Sequence, residues 1–409
     1  MKDFFKKINI NLVFIAVLAF ILGWQTGHKD LQFQWAHYKP TISIINKEPP
    51  KNINIDFKLF WDTWELVSRQ YIDKKAIDPN KLFYGSISGM VSAIVDPYTV
   101  FLPPQQQKST TEELNGSFDG VGIELGFDKD KRLVVMAPLQ GTPAEKSGIK
   151  PKDMIVKIGE KDTNGMTLPD AVNLIRGPKG TPINLTIFRD GDTDTKTFNL
   201  TRDTIIVKSV EVSYKITKNN KKVAVIKLSR FGERTNDEWI AAVDEITSAN
   251  VDGLVLDVRN NPGGFLESAV FILSEFLDSG DTVLQENSEG VRTPFKTDRT
   301  GRLLKTPLVV LINKGSASAS EIVAGALQDR KRATLAGEKS FGKGTIQEAQ
   351  QLPQQTGIHI TVAKWLTPNG RWVNDTGGFD PDVKIEVSKD DASDATKDPQ
   401  MDKALELLQ

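Results

Sequence analysis

Two short apolar runs restrict the choice of fold more than any other feature of the chain. G-L-V-L-D-V at 253–258 and P-L-V-V-L-I-N at 307–313 each lead directly into a glycine-containing turn and then a helix-like stretch. Both read as buried strands, being continuous apolar runs with turn signals behind them. K-V-A-V-I-K-L at 222–228 is a third strand, and T-N-D-E-W-I-A-A-V-D-E-I at 235–246 is a capped amphipathic helix. Strands alternating with helices make residues 206–390 an α/β core with a mixed, partly parallel sheet. Sites in such sheets form at the carboxyl ends of strands, where strand hands over to helix. N-N-P-G-G (260–264) and G-S-A-S-A-S (315–320) occupy that position.

The remaining sequence divides into recognisable parts of a multidomain α/β protein. Lys2, Lys6 and Lys7 precede a largely apolar run, and residues 1–28 are expected to be an uncleaved signal anchor with the bulk of the chain exported. Residues 29–55, with Pro40, Pro49 and Pro50, read as a linker. Residues 56–105 form a small helical domain of two amphipathic stretches, ended by D-P-Y-T-V-F-L-P-P at 96–104. Residues 391–409 are a tail with a helix, expected to pack on the N-terminal helices within one chain or between two, so a homodimer is one expectation.

Residues 109–205 resemble a bacterial-type PDZ domain, an α+β, partly open barrel. The resemblance rests on the loop Gly120, Val121, Gly122 and Ile123, the strand R-L-V-V-M-A-P-L, and P-A-E-K-S-G-I followed by P-K-D-M-I. A glycine loop ahead of a strand can aim backbone N–H groups at a carboxylate, which suits capture of a peptide C-terminus.

Composition removes most routes to catalysis. The chain has no cysteine, which excludes disulfides, a thiol nucleophile and thiolate metal sites. Its 52 basic and 53 acidic residues nearly cancel, leaving no nucleic-acid footprint. Of three histidines, His28 and His37 are N-terminal, so a Ser-His-Asp triad would have to use His359, which reads as one face of a strand in I-H-I-T-V. The same scarcity argues against a histidine metal site, and no cofactor is implied.

That leaves the serines of 315–320 and Lys343, which follows Ser318 by 25 positions, with Gln347 one helical turn further on. Locally, Ser318 and Glu321 fit an S-x-x-E capping box, although Ser316 or Ser320 can serve as the cap instead. Small neighbours leave room for a substrate, and a helix N-terminus favours an oxyanion. A free lysine titrates near about 10.4, so as a base it has to be desolvated. Phe341, Gly342 and Gly344 are compatible with burial, while an ordinary solvated lysine fits the same residues.

Taken together, the motifs resemble the C-terminal processing peptidases. The matching stretches are G-S-I-S-G-M-V with D-P-Y-T-V-F (85–101), the PDZ segment, L-D-V-R-N-N-P-G-G (256–264), 315–329, S-F-G-K-G-T-I-Q (340–347) and L-T-P-N-G-R (366–371). The resemblance implies a serine endopeptidase that takes proteins or peptides with a free C-terminus, with Ser318 as nucleophile, Lys343 as general base and Gln347 orienting it. It implies an oxyanion hole of backbone N–H groups from Ala319 and from Gly263 or Gly264. It also implies tail capture by residues 120–123, and coupling of the PDZ domain to the core through Arg176. The competing readings are a PDZ scaffold with an inactive peptidase-like core and a Ser-His hydrolase using His359.

Overall fold

The computed structural model describes residues 17–20, 31–36, 39–44, 55–388 and 397–409. The chain divides into two units, residues 1–81 and 82–409. In the first, strands Leu31–Ala36 and Lys39–Ile44 pair as an antiparallel hairpin, so part of the stretch read as linker is ordered β structure. Helix Lys58–Gln70 follows and buries none of its side chains, with Leu59 and Trp61 exposed. Most of the expected anchor falls outside the described residues; among those described, no helix is long and apolar enough to cross a membrane.

The domain boundary expected between 105 and 109 is crossed by helix Pro104–Asn115. The run 96–104 follows the end of helix Pro79–Ser92, as expected, and its last two prolines also begin the next helix. Pro104 stands at its first turn, where a missing N–H costs nothing. Just before it, strand Val100–Leu102 pairs with Thr356–Leu366, making the end of the N-terminal helical segment part of the core sheet.

The PDZ segment is a six-stranded antiparallel sheet. Lys196–Thr201, Pro182–Phe188, Met154–Ile158, Leu133–Pro138 and Ile123–Phe127 lie side by side, and Lys161–Asp162 pairs with Met154–Ile158. Leu185 and Ile187, two apart on one strand, both face a core that also holds Val135, Ile155 and Ala171 of helix Leu168–Ile175.

In the core, six strands run in the order Val210–Ile216, Lys222–Leu228, Gly253–Asp257, Leu308–Ile312, Thr334–Gly337 and Val383–Lys384. The first pair is antiparallel and the others are parallel. Alternate residues explain the apolar runs. Leu254, Leu256, Val310 and Ile312 face helices Thr235–Ala249, Leu266–Phe276 and Ala319–Asp329. Val255, Val309 and Leu311 face the opposite way, onto Ala404 and Leu408 of the C-terminal segment. Parallel strands need cover on both faces, and the terminal helix Pro399–Leu407 supplies the second. It therefore packs on the sheet of its own chain. Arg259 fixes its start by pairing with Asp257 at 2.6 Å and Asp398 at 2.8 Å. A second, antiparallel sheet orders Arg292–Lys296, Asp281–Glu286, Thr356–Leu366 and Thr345–Leu352.

Helix Thr235–Ala249 is not capped by its threonine. Thr235 is the first helical residue, and its hydroxyl accepts the Gly232 N–H at 2.8 Å.

The packing of the terminal helix sets a test. Ala404 has no exposed surface, so Ala404→Asp buries an unpaired carboxylate and is expected to destabilise the core by about 3–5 kcal/mol. Urea unfolding followed by tryptophan fluorescence measures it; an unchanged midpoint contradicts the packing.

Candidate active site

Two strand ends build the site. After Gly253–Asp257 the chain turns through Asn260 (φ 57°), Gly263 (φ 102°) and Gly264 (φ 139°), left-handed conformations that favour glycine. Buried Asn261 fixes this turn: its Nδ2 donates to the Leu228 carbonyl at 2.8 Å and its Oδ1 accepts the Gly263 N–H at 2.9 Å. After Leu308–Ile312, Asn313 binds across to Asn260, accepting its N–H at 2.9 Å and donating Nδ2 to its Oδ1 at 3.0 Å.

The three serines separate cleanly. Ser316 has no exposed surface and donates to the Val258 carbonyl at 2.8 Å. Ser320, equally buried, donates to the Asn261 carbonyl at 2.9 Å. Neither caps the helix; both stitch one turn to the other. Ser318 is partly exposed and has the strained backbone φ 54°, ψ −116°. The Glu321 N–H goes to the Ser318 carbonyl at 2.8 Å, so the backbone itself closes this turn. A Cβ at Gly263 would fall 2.8 Å from Ser318 Cβ and 2.9 Å from Ala319 N, which is how closely the glycine turn approaches the serine.

Glu321 joins Ser318 to Lys343. Its side chain has no exposed surface and receives four donors. Oε2 accepts the N–H of Ser318 at 2.9 Å and that of Lys343 at 2.9 Å. Oε1 accepts the Gly342 N–H at 2.7 Å and the Ser340 hydroxyl at 2.6 Å. The capping motif recognised in the sequence gave only the first of these bonds.

Lys343 is partly buried, and by other residues than expected. Phe341 is 54% exposed and does not cover it. Tyr98 does, with Lys343 Nζ 4.8 Å from the ring centroid. Burial pulls the ammonium below the ordinary lysine range, against the charges of Asp96 and Glu321, which push it up. The glycines serve the backbone: Gly342 (φ 98°) lies against Gly377 and Gly378, and Gly344 lies against Trp372.

Gln347 sits on strand Thr345–Leu352, not on a helical turn. Its Nε2 donates to the hydroxyls of Thr345 at 2.9 Å and Thr361 at 3.0 Å. A bulge between Ile346 and Gln347 brings Thr345, Ile346 and Gln347 all to the wall of one cleft. This cleft, about 310 Å³, is also lined by Ser318, Lys343, Gly264 and His359, with Thr110 and Leu114 of helix Pro104–Asn115. His359 is thus beside the lysine, and burial and then the Lys343 charge lower its pKa.

The expected oxyanion groups divide. Gly263 N–H is occupied by Asn261, so it is corrected to a shaping role. Among the described residues, no acceptor within the chain takes the N–H of Gly264 or Ala319. A group held near Ser318 therefore meets two unspent donors, a hydroxyl and a desolvated amine.

At the PDZ loop, Gly120, Val121 and Gly122 are buried and Ile123 is partly so. The Gly122 carbonyl takes the Leu139 N–H at 2.9 Å, and Gly122 (φ 77°) packs on Thr142. Arg176 stacks on Phe118 at 4.3 Å and pairs with Glu112 at 2.9 Å. Glu112 lies on the helix that contributes Thr110 and Leu114 to the cleft.

Comparison with known proteins adds three family matches: "Peptidase family S41" over residues 222–385, "PDZ domain" over 109–188, and "Activating protease CtpB N-terminal domain" over 29–105. The carboxy-terminal processing protease CtpA of Bacillus subtilis is 36% identical over 346 residues, covering 84% of this chain and 72% of that protein. The carboxyl-terminal-processing protease of Synechocystis sp. is 35% identical over 370 residues, covering 86% of each. Among solved structures, the photosystem II D1 C-terminal processing protease matches at 32% identity and TM-score 0.48, covering 80% of this chain and 92% of that one.

The Glu321 clamp is directly testable. In Glu321→Gln the new NH₂ group faces N–H donors, and a stability loss of about 3 kcal/mol is expected from the lost charge-assisted bonds. Thermal unfolding measures it; a wild-type melting temperature contradicts the clamp.

Proposed function

Since the chain belongs to the carboxy-terminal processing proteases of peptidase family S41 and is a serine peptidase with a PDZ domain, we propose that Ser318 is its nucleophile and Lys343 its general base. The observation that carries this reading is the shared acceptor: one Glu321 oxygen takes the N–H of both residues. It holds their backbones together at the wall of one cleft.

In the proposed reaction, neutral Lys343 takes the Ser318 hydroxyl proton as Oγ attacks the scissile carbonyl. The tetrahedral oxyanion rests on the N–H groups of Gly264 and Ala319. The C–N bond then breaks, and charged Lys343 returns its proton to the leaving amine. Lys343 next activates a water that cleaves the acyl-enzyme ester, restoring the serine. Gln347, held by Thr345 and Thr361 through Nε2, offers Oε1 as the acceptor that orients the lysine. Because the base works only when neutral, activity rises as pH rises through the lysine's pKa. Desolvation brings that limb below the range of a free lysine.

Substrates are proposed to be proteins whose free C-terminal tail adds at residues 120–123 and which are cut near that end. Arg176, paired to the helix that walls the cleft, links tail binding to the core. Cleavage of a tailed, poorly folded substrate tests the whole reading. Ser318→Ala and Lys343→Ala are each expected to lose about a hundredfold or more in kcat/KM. An amidated tail is expected to raise KM. Undiminished cleavage by either variant sinks the dyad, and equal KM values for free and amidated tails remove the carboxylate capture. Should His359→Ala abolish turnover while Lys343→Ala only weakens it, the base is His359, which lines the same cleft.

We further place the enzyme outside the cytoplasmic membrane, tethered by the apolar run behind Lys2, Lys6 and Lys7. Protease added to intact cells should then degrade it; full protection would contradict this location.

A further inference from the structure

The turn that follows helix Pro79–Ser92, read in the sequence as a helix stop, reaches the base. Tyr98 lays its ring over the Lys343 amine at 4.8 Å. Asp96 fastens that ring: its carboxylate accepts the Tyr98 N–H at 3.1 Å and the Thr99 hydroxyl at 2.7 Å. Thr99 Oγ1 in turn accepts the Thr361 N–H at 3.0 Å, bolting the turn to strand Thr356–Leu366. The Thr361 hydroxyl accepts from Gln347 Nε2 at 3.0 Å, so the same strand residue meets both the turn and Gln347.

We propose that Asp96 and Tyr98 are positioning residues for Lys343. Tyr98 excludes water from the amine, and Asp96 holds the turn that carries the Tyr98 ring. The proposal rests on the reading of Lys343 as the base. Two effects oppose each other at this ring. An aromatic face attracts a cation, but it also removes the water that solvates one. Lys343 lies below its ordinary range, so exclusion of water wins. Asp96 works the other way, its negative charge favouring the ammonium. The remaining titratable groups that face the lysine are Glu321, from helix Ala319–Asp329, and His359, from strand Thr356–Leu366, whose lowered pKa favours the neutral imidazole.

These opposed roles give opposed signatures in the pH profile of kcat/KM, measured with the full chain and a tailed peptide. Tyr98→Ala admits water, favours the ammonium, moves the acid limb to higher pH and costs about tenfold or more at neutral pH. Tyr98→Phe keeps the ring and leaves the limb in place. Asp96→Asn removes a charge that favours the ammonium and moves the limb to lower pH. A merely structural role lowers the amplitude in all variants without moving the limb, and that result overturns the proposal, as do shifts in one direction only. If Tyr98→Ala does not fold, Asp96→Asn decides alone: a limb that stays or rises overturns it. Lys343→Ala, run alongside, separates the two levels. An active Lys343→Ala removes the base assignment and this proposal with it. An inactive one, with unmoved limbs in the Tyr98 and Asp96 variants, removes this proposal only.

Discussion

The site depends on a carboxylate with no access to water. Glu321 is fully buried, a position where an ionised group is costly unless its lone pairs are filled. Four donors fill them, three from backbone N–H groups and one from a hydroxyl. Charge-assisted bonds of this kind are the strong ones. Their arrangement matters as much as their strength. Because the Ser318 and Lys343 N–H groups share one oxygen at 2.9 Å each, their nitrogens are no more than about 6 Å apart. The carboxylate thus converts a separation of 25 positions along the chain into a fixed local distance. It also places a negative charge near the amine, which works against the neutral form a base needs.

The strand ends are held with comparable economy. Asn313, Ser316 and Ser320 bond backbone groups of the neighbouring turn, and Asn261 bonds the Leu228 carbonyl at the end of the adjacent strand. None of those bonds is available to a substrate, and their result is a strained Ser318 pressed against a glycine turn. Such backbone strain costs of order 1–3 kcal/mol and persists only where the surroundings over-determine it. Here the surroundings are a parallel sheet covered on both faces. The terminal helix contributes indirectly: Arg259, which ties it to Asp257, immediately precedes Asn260 of the glycine turn.

Much of this architecture is legible in the sequence, and the failures have physical causes. Continuous apolar runs identified the strands because parallel strands are buried on both faces. The glycine turns marked the strand ends because only glycine tolerates the required φ and close approach at Gly263 and Gly264. Local pattern could not say what would lie over Lys343. Phe341 is adjacent in sequence yet points to solvent, whereas Tyr98 comes from a segment 245 positions away. The boundary placed between 105 and 109 coincides with the ends of the matched domains, yet helix Pro104–Asn115 runs through it. Proline signals an interruption, but a proline at the first turn of a helix interrupts nothing. Likewise the four-residue spacing of Gln347 from Lys343 suggests a helical turn, while its strand and bulge are set by pairing with Thr356–Leu366, a partner that local spacing does not reveal. Gly263 was a reasonable oxyanion donor until Asn261, two residues earlier, was seen to occupy its N–H.

These non-local contacts make the lysine a meeting point of the whole second unit. Helix Ala319–Asp329 supplies Glu321, the turn before Val100–Leu102 supplies Asp96 and Tyr98, and strand Thr356–Leu366 supplies His359. Two carboxylates favour the ammonium, and burial opposes them. Lys343 lies below its ordinary range, so desolvation is the larger effect. The balance is set by what covers the amine, more than by which charges surround it. That cover is built from segments far apart in the chain, and the helix after the Tyr98 turn carries both cleft wall and Glu112, the partner of Arg176. On the proposed mechanism, the protonation state of the base is therefore sensitive to any movement of that turn or helix, even when Ser318, Lys343 and Glu321 keep their places.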